Sequence, residues 1–240
     1  MIFLFTDYGL DGPYIGQVET VIAGNSPQEK IINLMADAPR NNPKASSYLL
    51  ASLIKHVPKN SIVFAVVDPG VGTQKDKPIV VQAHDCWFVG PDNGLFDLII
   101  RMEQDVKCWE ITSNKKNISN SFHGRDIYAP ECAYIAKHGS SSGDRFNWQD
   151  KRYFPDNLYE VIYVDHFGNC MTGIQESAVE SDRKIFINGH EIAYASTFGK
   201  VESGQAFWYI NSNKLLEISV NQGDASKVLS IDIGTTIDIC

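Results

Sequence analysis

Ile62-Val63-Phe64-Ala65-Val66-Val67-Asp68-Pro69-Gly70-Val71-Gly72-Thr73 opens as an unbroken apolar run and closes on an acid, a proline and two glycines. Six apolar residues without polar alternation predict a strand buried on both faces. The Pro-Gly-x-Gly that follows forces a tight loop with close backbone approach. Asp68 is left at the strand's C-terminal end, where sites of α/β proteins are commonly built. Aspartate is also a good turn former, and from this stretch alone both readings stand.

On either side of this strand, strand and helix signals alternate. Ile2–Phe5 and Lys30–Leu34 predict strands, and Pro13–Ala23 a helix with proline in its first turn. Ala45, Leu49, Ser52, Leu53 and His56 recur at helical spacing within Pro43–Val57, and Pro58 stops that helix. Ile79–Ala83 and Trp87–Val89 predict strands around the turn-like Ala83-His84-Asp85. A short helix over Gly94–Met102, a strand over Val106–Ile111 and a helix over Asp126–Lys137 follow. This order predicts an α/β domain over residues 1–140, with a mostly parallel sheet and helices on its faces. The texture then changes. Gly139-Ser140-Ser141-Ser142-Gly143-Asp144 and the polar residues after it read as a connector over 141–156. Beyond it, Tyr159–Val164, Met171–Ile174, Lys184–Ile187, Glu191–Ala193, Ala206–Ile210 and Leu215–Val220 predict short strands between Gly, Asn, Asp and Ser turns. Residues 157–240 therefore read as a small all-β, barrel-like domain.

The composition narrows the function classes. A chain of 240 residues with 43% hydrophobic content suits one large or two modest globular domains. A net charge of −8 argues against nucleic-acid or anionic-membrane partners, and suits a cationic ligand. No apolar run reaches membrane-spanning length. Met1–Asp7 lacks the basic flank of a signal peptide and reads as a first strand. Five scattered cysteines without a C-x-x-C pair read as reduced thiols of a cytoplasmic protein. Neither they nor the six histidines show metal-ligand spacing, so no metal is expected.

Several turns carry side chains with chemistry to offer. In Ser121-Phe122-His123-Gly124-Arg125-Asp126, a histidine stands at a helix start. Asp7, in Thr6-Asp7-Tyr8-Gly9, ends the first strand, and is either a binder of ribose hydroxyls or a cap for the next helix. The loop after Asp68 fails both the phosphate-loop and the dinucleotide glycine patterns, while Lys75 brings one positive charge near Asp68 or simply faces solvent. Asp165-His166-Phe167-Gly168-Asn169 places a stacking ring and a bidentate amide on one turn, or is an Asx-rich hairpin. Ser212, Glu217 and Asn221 sit in a polar turn and the alternating strand after it.

Together these blocks resemble the S-adenosyl-L-methionine (SAM) hydroxide adenosyltransferases, or SAM hydrolases, relatives of the fluorinating and chlorinating enzymes. Six blocks carry the resemblance in order: Leu4–Gly9, Val66–Thr73, Phe88–Leu95, Phe122–Asp126, Val164–Asn169 and Leu215–Asn221. The resemblance implies an N-terminal α/β domain, a C-terminal β-barrel, and a homotrimer with SAM between one subunit's N-terminal and its neighbour's C-terminal domain. It implies hydrolysis of SAM to adenosine and methionine by water or hydroxide at the ribose C5′, with SAM as substrate and no cofactor. The family's Asp–Arg–His set falls on Asp68, Lys75 and His123, so lysine replaces the usual arginine. Asp7 matches the ribose-binding acid, and Phe167 and Asn169 the adenine site. Asp165 and Ser212 match the methionine end, and Glu217 with Val220–Gln222, Asn221 included, the edge of the nucleoside pocket. Tyr8, Thr73, Phe122 and Gly124 complete the substrate-binding set. The halogenating relatives carry a hydroxyl-bearing residue where this chain has Gly124, which favours water over halide. A chlorinase-like halogenase and a non-catalytic SAM or adenosine binder are the alternatives.

Overall fold

The computed structural model describes residues 1–73, 75–112, 117–148 and 153–240, and divides into two compact units, Met1–Phe154 and Pro155–Cys240. In the first unit the chain runs β1 (Ile2–Thr6), α1 (Tyr14–Asn25), β2 (Ile31–Met35), α2 (Pro43–Leu53) and β3 (Ile62–Val66). It continues through β4 (Pro78–Ala83), β5 (Cys86–Pro91), α3 (Asp97–Arg101), β6 (Lys107–Glu110), α4 (Ala129–His138) and β7 (Asp144–Phe146). The seven strands form one sheet in the order β2-β1-β3-β5-β4-β6-β7.

Every residue of β1 and β3 is buried, as their unbroken apolar runs require. Burial of side chains of this size stabilises by about 1.5–3 kcal/mol each. Ile2, Leu4, Phe64 and Val66 pack with Val18 and Ile22 of α1 and with Cys132 and Ile135 of α4. On α2, the Asn42 side chain accepts from the Ala45 N–H at 3.0 Å, ahead of Pro43 in the first turn. A cap of this kind is worth about 1 kcal/mol.

The sheet is mixed, where the sequence analysis expects it mostly parallel. β2-β1, β1-β3 and β3-β5 are parallel, whereas β5-β4, β4-β6 and β6-β7 are antiparallel. The cause is local. His84 and Asp85 take φ of 51° and 57°, the left-handed pair of a two-residue hairpin turn. So short a link cannot make a parallel crossover, and β5 returns against β4. The stretch read as a connector contains β7, whose Cys108↔Phe146 register adds a short edge strand to β6.

The second unit contains β8 (Leu158–Val164), β9 (Cys170–Gln175), β10 (Ile185–Ile187), β11 (His190–Ile192), β12 (Ala206–Ile210), β13 (Leu215–Val220), the short α5 (Ala225–Val228) and β14 (Asp238–Ile239). A four-stranded sheet orders β12-β13-β9-β8 and a three-stranded sheet orders β11-β10-β14, with antiparallel pairings throughout. Both contribute to one core, in which Ile185, Ile187 and Ile192 pack with Trp208, Ile218 and Val220. Single bridges link the sheets at their margins, Glu160↔Thr236 and Tyr194↔Trp208. Among the described residues, no helix is long and apolar enough to cross a membrane.

Candidate active site

The parallel pairing of β1 with β3 runs in register to Thr6↔Val66, so both chains leave the sheet at one edge. Asp7 and Tyr8 emerge from one strand, and Val67 and Asp68 from the other. The edge is the carboxyl end of the parallel half, where open α/β sheets bind ligands. A cavity of about 340 Å³ opens there, lined by Asp7, Tyr8, Tyr14, Arg40, Asn41, Val66, Asp68, Val71, Ser121, Phe122, His123 and Gly124.

The loop after Asp68 is stapled by its own polar groups. Asp68 Oδ1 accepts from the Gly70 N–H at 3.1 Å, and the Thr73 hydroxyl donates to the Gly70 carbonyl at 2.7 Å. Gly72 takes φ +81°, and a Cβ on it would stand 2.1 Å from the Asn120 carbonyl oxygen, so glycine is required there. Asn93 holds the strand's exit by donating from Nδ2 to the Val67 carbonyl at 2.9 Å.

On the opposite wall, the chain enters α4 through one π-helical turn, Gly124–Tyr128, directly after His123. Such turns recur at functional sites because they re-aim side chains within a helix. Asp126 anchors the approach. Its Oδ2 accepts from the Ser119 N–H at 2.8 Å and its carboxylate pairs with Arg125 at 2.7 Å. Arg125 also donates to Gln17 at 3.0 Å and lies over the Phe122 ring, and it is not among the residues lining the cavity. Phe122 meets Tyr8 and Tyr14 edge-on at 5.8 and 5.3 Å between ring centres. Gly124 makes room for Tyr8: a Cβ there would stand 2.1 Å from the Tyr8 hydroxyl oxygen.

The electrostatics set the acid and base character of the wall. Burial pushes the Asp68 carboxyl up to about 6, with the Asp76 and Asp7 charges adding to the rise and the Gly70 N–H opposing it. Asp7 is also raised by burial, against the Asn41 N–H that donates to its Oδ2 at 2.8 Å and the Arg40 charge. Burial holds His123 below its ordinary value, opposed by the Asp126 charge, so the imidazole is neutral at neutral pH. Burial, then the Asp7 and Asp68 charges, keep the Tyr8 hydroxyl protonated.

A second cavity, of about 810 Å³, lies in the second unit and is lined by Asp165, Phe167, Asn169, Met171, Phe198, Tyr209, Asn211, Ser212, Glu217, Val220, Gln222 and Gly223. Asp165 organises its first turn: Oδ1 accepts from the Phe167 and Asn169 N–H groups, and Oδ2 from Asn169 Nδ2, all at 2.9 Å. Phe167 lines the cavity yet is 74% exposed, its ring meeting only His166 edge-on at 5.6 Å between ring centres among the described ring contacts. Glu217 is buried and accepts from the Tyr209 hydroxyl and, at 2.8 Å, from Asn211 Nδ2. Burial raises its carboxyl above the ordinary range, with those two hydrogen bonds opposing.

The residues singled out from the sequence therefore gather in two places. Asp7, Tyr8, Asp68, Phe122, His123 and Gly124 line the first cavity, and Asp165, Phe167, Asn169, Ser212, Glu217 and Val220 the second. Three are not among the lining residues. Thr73 is spent on its own turn. Lys75 is exposed, its N–H donating to the Thr73 hydroxyl at 3.3 Å. Asn221 turns its amide to the Val201 carbonyl at 2.9 Å, and its neighbour Gln222 faces the cavity instead. Sequence reasoning missed Arg40, Tyr14, Phe198 and Tyr209. The aromatic ones look like ordinary core residues in sequence, and Arg40 belongs to no motif. Among the described residues, no group of three His, Cys, Asp or Glu is placed to hold a metal ion.

Comparison with known proteins agrees across the whole chain. The model of the SAM hydroxide adenosyltransferase N-terminal domain matches residues 2–143, and that of the C-terminal domain residues 159–238. The (R)-S-adenosyl-L-methionine hydrolase of Thermus thermophilus is 29% identical over 98% of both chains. The enzyme of that name from Methanocaldococcus jannaschii is 29% identical, over 100% of this chain and 95% of its own. The crystal structure of an uncharacterized conserved protein from Thermotoga maritima superposes with a TM-score of 0.88 at 34% identity, covering 100% of each chain. With both domain models matched in order, one over each compact unit, this chain belongs to the SAM hydroxide adenosyltransferase family.

Proposed function

We propose that this chain hydrolyses S-adenosyl-L-methionine to adenosine and L-methionine, by attack of water on the ribose C5′. The observation that carries the reading is the pairing, in one cavity, of a carboxylate and an imidazole suited to activating water at neutral pH. A carboxyl raised to about 6 is still ionised there, and is a stronger base than an ordinary aspartate. A neutral imidazole can orient the attacking oxygen without adding charge that repels the sulfonium. As the new C–O bond forms, the C5′–S bond breaks and methionine leaves as a neutral thioether. The water's proton passes to Asp68. Loss of the sulfonium charge makes the leaving group good without acid assistance, and positioning plus base catalysis supply the rest.

In this reading Asp7 binds the ribose hydroxyls, with Arg40 beside it, and Lys75, on the exposed loop that carries Asp68, takes the part of the family's arginine. Phe167 and Asn169 hold adenine, Asp165 and Ser212 the methionine end, and Glu217, Val220 and the 221–222 segment the pocket's edge. Residues 1–140 act as the catalytic domain and 157–240 complete the adenine pocket. The two marginal bridges support closure of the second unit's sheets into a barrel. A homotrimer in which neighbouring copies complete each site, working in the cytoplasm, belongs to the same proposal. Gly124 supports water over halide, because the space a hydroxyl-bearing side chain needs is taken by the Tyr8 hydroxyl. Incubation with SAM, with and without chloride, tests the reading: adenosine and methionine in equal amounts are expected in both, and a chlorinated nucleoside or no product would overturn it.

A further inference from the structure

We infer that Asp76 is a positioning residue for this reaction, acting through Asp68 across the Gly70 turn. The inference rests on the hydrolase reading and deepens it. A methyl group built on Gly70 would stand 2.6 Å from Asp76 Oδ2 and 3.6 Å from Asp68 Oδ1. Asp76 Oδ2 therefore occupies the place that a side chain on residue 70 would need, with Asp68 Oδ1 close to the same position. Asp76 is not among the residues lining the cavity, and its charge bears on Asp68.

The other groups around Asp68 do not do this work. The Tyr8 and Tyr128 hydroxyls are held protonated, chiefly by burial. His123 is neutral, and the Gly70 N–H favours the ionised acid. Asp7 also repels the Asp68 charge, but less strongly than Asp76 does. Arg40 is on the Asp7 side of the wall, and Lys75 adjoins Asp76 on the exposed loop. Asp76 is thus the stronger of the two like charges beside Asp68. It makes Asp68 hold its proton more tightly, and so accept the proton of water more readily.

Two variants test this. Asp76→Asn removes the charge, and Gly70→Ala keeps it but fills the space, so that the flexible end of Asp76 must move away. The readouts are the pH profile of kcat and the carbon-13 NMR titration of the Asp68 carboxyl without substrate. For Asp76→Asn, both midpoints should fall by about one pH unit. The plateau of kcat should fall several-fold, with KM unchanged. Gly70→Ala should move both midpoints the same way, and it keeps the test decisive if Asp76→Asn does not fold. An unmoved NMR midpoint would overturn the coupling. A moved NMR midpoint with an unmoved kcat profile would overturn the role in the reaction. A wild type that makes no adenosine would sink the hydrolase reading instead, and the NMR midpoints would still decide whether Asp76 acts on Asp68.

Discussion

Asp68 is costly to the folded state as well as useful to it. Its native carboxyl holds a proton up to about 6, against an ordinary value of 3.8. Between those values the native state binds more protons than the unfolded chain, so the stability from this group falls as pH rises through that window. Asp68→Asn should therefore raise the melting temperature at mildly alkaline pH, with the gain vanishing in acid, while kcat drops by at least about 100-fold. Calorimetry at several pH values checks the first and product assays the second; a variant less stable at alkaline pH would contradict the assignment. The two cations separate in the same way. Lys75→Met should cut kcat with little change in KM, and Lys75→Arg should keep or raise it, because a cation beside the nucleophile favours hydroxide. Arg40→Met should instead raise KM, since its charge bears on Asp7. Steady-state kinetics of the three variants decide, and a Lys75→Met rate within a few-fold of wild type would remove Lys75 from the chemistry. At this scale Asp68 and His123 were legible because each stands on a glycine-marked turn. Arg40 and Asp76 were not. One reaches the wall through the turn that lays the Asn41 N–H on Asp7, the other through the loop that folds back on Gly70, and neither route leaves a pattern in the sequence.

The π-helical turn before α4 does the aiming, and Asp126 holds it in place. Asp126→Ala would free the Ser119 N–H and the Arg125 guanidinium together. A loss of about 1–3 kcal/mol of stability is expected in urea denaturation, since hydrogen bonds to a charged group are broken. A fall in kcat larger than any rise in KM should accompany it, because His123 loses its position before the nucleoside loses its contacts. Unchanged stability and rate would show that the turn holds itself. The helix here was legible from its apolar spacing, but not its π start. A π turn differs from an α turn by one residue, and a segment of this length shows the same periodicity for both. The parallel half of the sheet was legible because buried strands on both faces read as unbroken apolar runs. The antiparallel half follows from the left-handed His84-Asp85 pair, and the two-residue link it makes had no weight in a count of alternating strands and helices. β7 escaped notice because its two exposed polar residues and one half-buried ring carry no strand pattern.

At the scale of the molecule, the candidate residues lie in two cavities, each within its own compact unit, and the proposed function assigns one substrate to both. If copies of the chain complete each other's sites, dilution should abolish activity before it abolishes folding. Sedimentation at assay concentration should show a trimer, and a fully active monomer would defeat the arrangement. The change of texture near residue 140 marks where helical spacing stops and short strands with polar turns begin, but the compact units divide later, between Phe154 and Pro155, because β7 still pairs with β6 of the first sheet. How strands of the second unit pair was not legible, because those of three residues or fewer carry too little pattern to fix a register. In the proposed reaction, water is the nucleophile at C5′. The direct test is to turn over SAM in oxygen-18 water and to analyse the nucleoside by mass spectrometry. Adenosine with the heavy oxygen on its 5′ carbon, in step with released methionine, is the result predicted. Adenosine without the label, or a nucleoside carrying any other group at that carbon, would contradict it.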